Sequence, residues 1–423
     1  MRYIHGSALA LASALLLAGC GGGGNPSAPT LATVSSVNAQ STAPTAPPSG
    51  GFKAVVSFGD SLSDIGSYTL AAYSVYGNPA SPQYNSNIPT WSPPTPYAGG
   101  GQFTVNGAST GNWIGDLASA LQLPITPNVI GYAGNYFNPS TAPAPSTSPV
   151  YCPFGVQSNC FGFAQGGSMV SNPNGIGHSG NTGPMTIPVT QQVQNYLTQF
   201  TTFNSGQLVT VLAGNNDIFN ALGTVSAQLA QGVPQATAVA QAQAAVGLAA
   251  DQLAGVVQSI LAKGGKYVLV YTLPDSSLTP FGRGLPYTGA TPPAAPPAGY
   301  VCNNLDPSQP CYLLSNLVQL FNQRLLNDLQ GQPVKVLDGY SLLNQEMANP
   351  AQFGFTNVTT PWCDPATTSS LLCNVNTPFA AAGASTANLG SWLFADSVHP
   401  TPAGYQVIAN ATLQAMKGFG WTQ

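Results

Sequence analysis

Residues 54–64 read Ala-Val-Val-Ser-Phe-Gly-Asp-Ser-Leu-Ser-Asp. The run 54–58 is apolar almost throughout rather than alternating, which is the pattern of a strand buried on both faces. It breaks into Gly59-Asp60-Ser61-Leu62, so a hydroxyl stands just past the end of that strand. Three later runs have the same character: 208–213 (LVTVLA), 267–272 (YVLVYT) and 334–338 (VKVLD). Helical stretches fall between them at 189–201, the Ala/Gln-rich 225–262, and 312–330. Buried strands alternating with helices predict an α/β fold with a parallel sheet covered on both sides. A last helix is signalled by Thr401 as cap and Pro402 at its first position, with Tyr405, Ile408, Thr412 and Ala415 on one face. Pro/Gly-rich insertions at about 76–101, 131–161, 281–311 and 350–390 interrupt the pattern and are long enough to be functional or disordered. No internal repeat is apparent.

Composition narrows the function. The 423 residues hold 8 Lys+Arg and 12 Asp+Glu, 5% charged in all, against about 25% in an ordinary globular protein. With 43% hydrophobic residues, this is no charge-driven disordered chain. A net charge of −4 and so few basic residues argue against nucleic acid as a partner. A single Glu, Glu346, and 3 His exclude carboxylate-bridged dimetal sites and HExxH zinc sites, so no metal is expected.

The N-terminus reads as an export signal. Arg2 supplies the positive start, and the apolar run 8–18 is too short to span a bilayer. Leu17-Ala18-Gly19-Cys20 resembles a bacterial lipobox, which implies removal of residues 1–19 and lipidation of Cys20. An ordinary secretory signal is the alternative. Residues 20–51 are expected to form a lipidated Cys and flexible Gly/Pro/Ser tether, ahead of a single domain over 52–423. The Gly after Cys20 favours an outer-membrane address in a bacterial envelope, and no later stretch is expected to span a membrane. The few residues after His399 leave no room for a β-barrel, so an autotransporter passenger is not expected. Setting Cys20 aside, six Cys remain in three close pairs within loop-like sequence. An exported chain with an even count implies disulfides. The local pairings Cys152–Cys160, Cys302–Cys311 and Cys363–Cys373 are favoured among the possible connectivities.

In an open parallel sheet, ligands bind beyond the carboxyl ends of the strands. Ser61 follows the first strand there. Gly166-Gly167 follows the apolar stretch 160–164, Gly214-Asn215-Asn216-Asp217 follows 208–213, and Asp396-Ser397-Val398-His399 precedes the final helix. A serine needs an imidazole to take its proton, and the imidazole needs a carboxylate to fix its tautomer. Ser61, His399 and Asp396 can supply those parts. The Ser61 and Gly167 N–H groups and the Asn216 amide can supply donors for a developing oxyanion.

The four segments, in this order, resemble the blocks of the GDSL esterase/lipase family, also called SGNH hydrolases. FGDSLSD carries Ser61, Phe163-Ala164-Gln165-Gly166-Gly167 matches the second block, GNND the third and DSVH the last. The resemblance runs from about residue 52 to the C-terminus. It implies a three-layer α/β/α sandwich with a flavodoxin-like sheet and cofactor-free serine hydrolysis of carboxylic esters through an acyl-enzyme. An acyltransferase using the same triad, or a non-catalytic surface binding protein on this scaffold, are the alternatives. Where family members often carry Asn at the head of the second block, this chain has Gly162, which leaves Gly166 or Gly167 as the glycine donor, with Gly167 favoured.

A rival nucleophile exists in Gly107-Ala108-Ser109-Thr110-Gly111, a GxSxG pattern between strand-like 102–106 and helix-like 112–123. It would leave the GDSL and GNND segments unexplained, so a turn into a helix with Trp113, Leu117 and Leu121 facing the core is preferred. His178 reads as a solvated loop histidine, and Asp60, Asp64, Asp217 and Asp275 as acceptors that shape turns. Loop aromatics such as Tyr84, Trp91 and Tyr97 either shape an acyl groove or pack on the surface. A nearly uncharged surface beside a membrane suits an uncharged or apolar ester.

Overall fold

Four buried runs form one parallel sheet in a computed structural model that describes residues 34–141, 146–155, 158–179, 182–286 and 299–422. They are β1 (Ala54–Gly59), β2 (Gln207–Leu212), β3 (Tyr267–Tyr271) and β4 (Lys335–Leu337), hydrogen-bonded in that order. Ala54 pairs with Gln207, Leu208 with Tyr267 and Leu269 with Lys335. Every strand residue is buried, which explains the absence of alternation in the sequence.

Beyond β1 a short segment extends the sheet. The Ser57 N–H donates to the Phe161 carbonyl and the Phe163 N–H to the Ser57 carbonyl, with a parallel bridge to Gly162. Counted in chain order, the five positions then run 2-1-3-4-5, the flavodoxin-like order.

Helices cover both faces. On one lie α1 (Trp113–Ala120) and α6 (Pro402–Gly418), packed together over Tyr271: its ring meets Trp113 edge-on at 5.2 Å and its hydroxyl is 2.6 Å from Thr412 Oγ1. On the other lie α2 (Val189–Phe200), α3 (Asn215–Ala230), α4 (Gln235–Ala262) and α5 (Pro310–Asp328), with Tyr196 of α2 against Phe58 of β1. The three-layer α/β/α sandwich is thus the fold of this chain.

The structure departs from sequence expectation in several places. The Ala/Gln-rich stretch is two helices rather than one, because Gly232 adopts φ +81° and Pro234 has no N–H to continue a helix. Residues 102–106 form no strand. Asn106 instead turns its side-chain amide onto the carbonyls of Gln102, Thr104 and Cys373. Helix α4 is long and apolar enough by composition to cross a membrane, contrary to expectation, yet it packs as a core helix with Val246, Leu253, Val257 and Ile260 buried.

Part of the stretch expected to be a flexible tether also packs on the domain. Residues 1–33, with the signal segment and Cys20, lie outside the described residues, but 34–51 pack onto the domain. A helix at Ser35–Gln40 buries Val37, and Asn38 pairs with both backbone groups of Val336, accepting its N–H at 2.7 Å and donating to its carbonyl at 2.8 Å. An exposed β4 edge would leave these groups open to another strand, and Asn38 closes it. The three disulfides take the local pairings, Cys152–Cys160, Cys302–Cys311 and Cys363–Cys373, each closing a loop.

Candidate active site

β1 ends at Gly59, where an added Cβ would stand 2.1 Å from the Leu212 carbonyl oxygen, so only glycine lets the two strand ends converge. Asp60 then caps a short turn at Ser61–Ser63 by accepting the Leu62 N–H at 3.0 Å. This turn lifts the Ser61 hydroxyl over the strand ends at the topological switch point beside β2.

The Asp396–His399 segment meets it from the far end of the chain. Asp396 Oδ1 accepts the N–H groups of Val398 and His399, both at 2.8 Å, which folds the tetrapeptide into a tight loop. The Ala395 N–H closes that loop on the His399 carbonyl, and the Phe281 N–H holds the Ser397 carbonyl, each at 2.7 Å. Asp396 Oδ2 then lies 2.7 Å from His399 Nδ1, and His399 Nε2 lies 2.7 Å from Ser61 Oγ. Phe103 flanks the imidazole with ring centroids 5.0 Å apart. All three residues are buried with little exposure, so water screens their interaction weakly.

The donor side is equally ordered. Gly166 gives its N–H to Asp64 Oδ2 at 2.9 Å, whereas the N–H groups of Gly167 and Ser61 meet no acceptor among the described residues. Asn216, in the first turn of α3, donates once to the Ser168 carbonyl at 2.9 Å, and a primary amide has a second N–H to give. Gly162, where the family often has Asn, leaves no room for it: an added Cβ would meet the Ile65 side chain at 2.5 Å.

The acids of these blocks differ in electrostatic setting. Burial would raise the Asp396 carboxyl, but the His399 charge and the hydrogen bonds from His399 and Val398 outweigh it and hold the group below its ordinary value. Burial pushes Asp60 up to about 6 against the Leu62 N–H, and raises Asp64 despite its hydrogen bonds from Ser67, Gly66 and Gly166. Burial also lifts Asp217, which accepts the Val170 N–H at 3.0 Å, to about 7. A carboxyl raised on folding favours the folded state at low pH and loses that contribution as pH rises through the folded value. Asp217→Asn, which keeps an oxygen for Val170, is therefore expected to flatten the fall in Tm between about pH 4 and 7. Thermal unfolding of both proteins across that range checks it, and parallel curves would show that Asp217 is ionised throughout.

The other sequence candidates separate. Ser109 lines a cavity of about 250 Å³ with Trp91, Asn112, Asp116 and Phe154, and neither His178 nor His399 reaches it. Trp113 and Leu117 face the core, as the turn-into-helix reading expected. His178 is not merely solvated, since its Nδ1 lies 3.1 Å from Thr186 Oγ1. Asp275 accepts from the Ser277 N–H and hydroxyl and from the Ser315 hydroxyl. Tyr84 is exposed, whereas Trp91 and Tyr97 both pack on Tyr73, and Trp91 also leans on Phe137.

Two supporting residues carry only weak local signals. Gln192 accepts the Gly59 N–H at 3.0 Å and donates to its carbonyl at 2.8 Å, which fixes the strand end; its one signal was a polar residue on the apolar face Val189, Val193 and Tyr196. Asn112 caps α1 and donates to the Leu62 carbonyl at 2.7 Å, beside the serine turn.

A family model described as GDSL-like Lipase/Acylhydrolase matches residues 55–412. An uncharacterized protein of the trpE-trpG intergenic region of Pseudomonas putida is 27% identical over 363 residues, 85% of this chain and 48% of the relative. The Arabidopsis thaliana GDSL esterase/lipase APG is 35% identical over 109 residues, 24% of this chain and 30% of the relative. The chain thus spans about half the length of the bacterial relative, and its match covers less than a third of the plant one. With the family model spanning most of the chain, from the first strand into the last helix, this protein belongs to the GDSL-like lipase/acylhydrolase family.

Proposed function

We propose that this protein hydrolyses carboxylic esters through an acyl-enzyme formed on Ser61. The observation that carries the reading is the unbroken line from Asp396 Oδ2 to His399 Nδ1 and from His399 Nε2 to Ser61 Oγ, 2.7 Å at each step. His399 takes the Ser61 proton as Oγ bonds to the ester carbonyl carbon, and Asp396 steadies the imidazolium. The carbonyl oxygen becomes an oxyanion facing the N–H groups of Ser61 and Gly167 and the Asn216 amide. His399 returns its proton to the leaving alcohol as the C–O bond breaks. Water then gives a proton to His399, attacks the acyl carbon, and Ser61 leaves as the alcohol while the acid is released.

A fluorophosphonate probe bonds covalently to an activated serine, and peptide mass mapping of the labelled protein tests the reading. The label is expected on the peptide bearing Ser61; label on the Ser109 peptide alone would transfer the nucleophile to the GxSxG turn. A panel of p-nitrophenyl esters of graded chain length then sorts esterase from lipase.

Three disulfides suit an oxidising compartment outside the cytoplasm. Together with the lipobox-like Leu17–Cys20 they support a lipid-anchored envelope protein, and the 5% charged content suits a substrate that is uncharged or apolar. In an expressing bacterium, Cys20→Ser is expected to move the protein from the membrane fraction to the soluble one. Continued co-sedimentation with membranes would refute the anchor.

A further inference from the structure

The serine-bearing turn and the glycine loop are joined by groups that the reaction itself does not use. Asp64 and Tyr68 lie just after the turn, and both reach across to the peptides around Gly166. Asp64 Oδ2 accepts the Gly166 N–H at 2.9 Å, while Oδ1 accepts the N–H groups of Gly66 at 2.9 Å and Ser67 at 2.7 Å. The Ser67 hydroxyl completes this shell at 2.6 Å from Oδ2. Tyr68 Oη donates to the Gly166 carbonyl at 2.9 Å and accepts the Thr186 N–H at 3.1 Å. Both side chains are fully buried.

The Gly166 carbonyl and the Gly167 N–H belong to one peptide unit. That unit is trans, since the cis bond among the described residues is Pro93–Pro94. In a trans peptide C=O and N–H point in opposite directions within one plane. Holding the carbonyl therefore aims the N–H. Resting on the esterase reading above, we propose that Tyr68 is a positioning residue for ester hydrolysis, gripping the Gly166 carbonyl so that the Gly167 N–H points at the oxyanion.

Several observations fit. Gly167 has φ +77° and an added Cβ would stand 2.3 Å from the Ile176 oxygen, so the loop is tightly housed and the peptide has one orientation to keep. The Ile176 N–H holds the Gly167 carbonyl at 2.8 Å from the other side. Asp64 fixes the preceding peptide, so both planes meeting at Gly166 are pinned by residues of the serine-bearing block. A donor on the carbonyl also polarises the amide and strengthens the N–H opposite it. The Tyr68 ring lies edge-on to Phe103 at 6.0 Å, and Phe103 flanks His399, so the positioning group packs into the catalytic set. Burial, with the Asp64 charge, keeps the phenol protonated and able to donate at any working pH.

The test compares Tyr68→Phe with wild type, counting competent sites by fluorophosphonate titration. A p-nitrophenyl ester reports kcat and KM, and an n-alkylboronic acid reports donor geometry. The boronic acid forms a B–O bond to Ser61 Oγ, the serine proton passes to His399, and the tetrahedral borate places an oxygen at the donors. Losing an oxyanion donor costs about 10²–10³-fold, and misaiming one is expected to lower kcat per titrated site about 10–100-fold. KM should stay within about twofold, and the boronate Ki should rise in step with the fall in kcat. A merely structural role would lower Tm or the titrated fraction and leave kcat per site alone. Asp64→Asn, which sets an amide donor against the Gly166 N–H, should show the same split and stands in if Tyr68→Phe does not accumulate. Wild-type kcat per site with unchanged boronate affinity overturns the proposal, provided Ser61→Ala is inert. An active Ser61→Ala would instead overturn the esterase reading beneath it.

Discussion

Ser61→Ala is expected to lower kcat for p-nitrophenyl esters by about 10⁴-fold or more, with the fold intact. Among the described residues the hydroxyl makes one hydrogen bond, to His399 Nε2, and the alanine Cβ occupies space the serine already filled. Nothing in the core is emptied, and Asp60 still caps the turn through the Leu62 N–H. The variant therefore keeps its donors and its imidazole but has no atom with which to form an acyl-enzyme. Residual hydrolysis by water held near those donors sets the floor, because an oxyanion hole and binding alone retain some catalysis. Rates on purified protein, with Tm measured beside them, decide the matter. A loss of activity accompanied by unfolding would say nothing of the nucleophile, so an unchanged Tm belongs to the expected result. Activity within tenfold of wild type would remove Ser61 from the reaction. Ser109→Ala is the control, since neither His178 nor His399 reaches its cavity, and it should retain wild-type rates.

How far this site could be read beforehand follows from how its parts are encoded. The catalytic candidates sit in short local motifs. β1 runs straight into Ser61, Asp396 and His399 are three residues apart, and Asn216 opens a helix directly after a strand. The topology of a parallel sheet brings strand ends together, so local placement was enough to foresee their meeting. The supporting shell is encoded differently. Gln192 grips Gly59 from 133 residues away, Tyr68 reaches Gly166 across 98 and Asn38 closes the edge of β4 across 298. Each is an ordinary polar residue whose partner is a backbone group, and backbone groups leave no trace in a sequence.

The same distinction explains the two glycines. Adjacent in sequence, Gly166 and Gly167 are interchangeable on paper, yet Asp64 takes the N–H of the first and leaves the second open. It also explains the tether, whose composition reads as linker although Asn38 and Val37 dock on a particular strand edge. The scarcity of charge acquires a clearer meaning too. Asp60, Asp64, Asp217 and Asp396 are all buried, so a substantial share of the few acids serves the interior rather than the surface.

Asp396→Asn isolates what the carboxylate does beyond holding its loop. Asp396 has two tasks on two oxygens: Oδ1 accepts the Val398 and His399 N–H groups, and Oδ2 faces His399 Nδ1. Asparagine keeps the first with its carbonyl oxygen, so the loop and the ring position should survive. Its amide then points a donor at Nδ1, which must become the acceptor, and the neutral imidazole is left with its proton on Nε2. That nitrogen is the one 2.7 Å from Ser61 Oγ, and once protonated it cannot take the serine proton. A tautomer reversal of this kind costs about 10⁴-fold in kcat in the Ser-His-Asp arrangement, and a comparable loss is expected here. Asp396→Ala would lose the same activity and also strand two buried N–H groups, each worth about 1–3 kcal/mol. Alanine should therefore lower Tm clearly, whereas asparagine should not. Measured together, equal kinetic losses with unequal Tm values assign the carboxylate to tautomer control. Should asparagine retain activity within tenfold of wild type, the imidazole would be finding its working tautomer without Asp396.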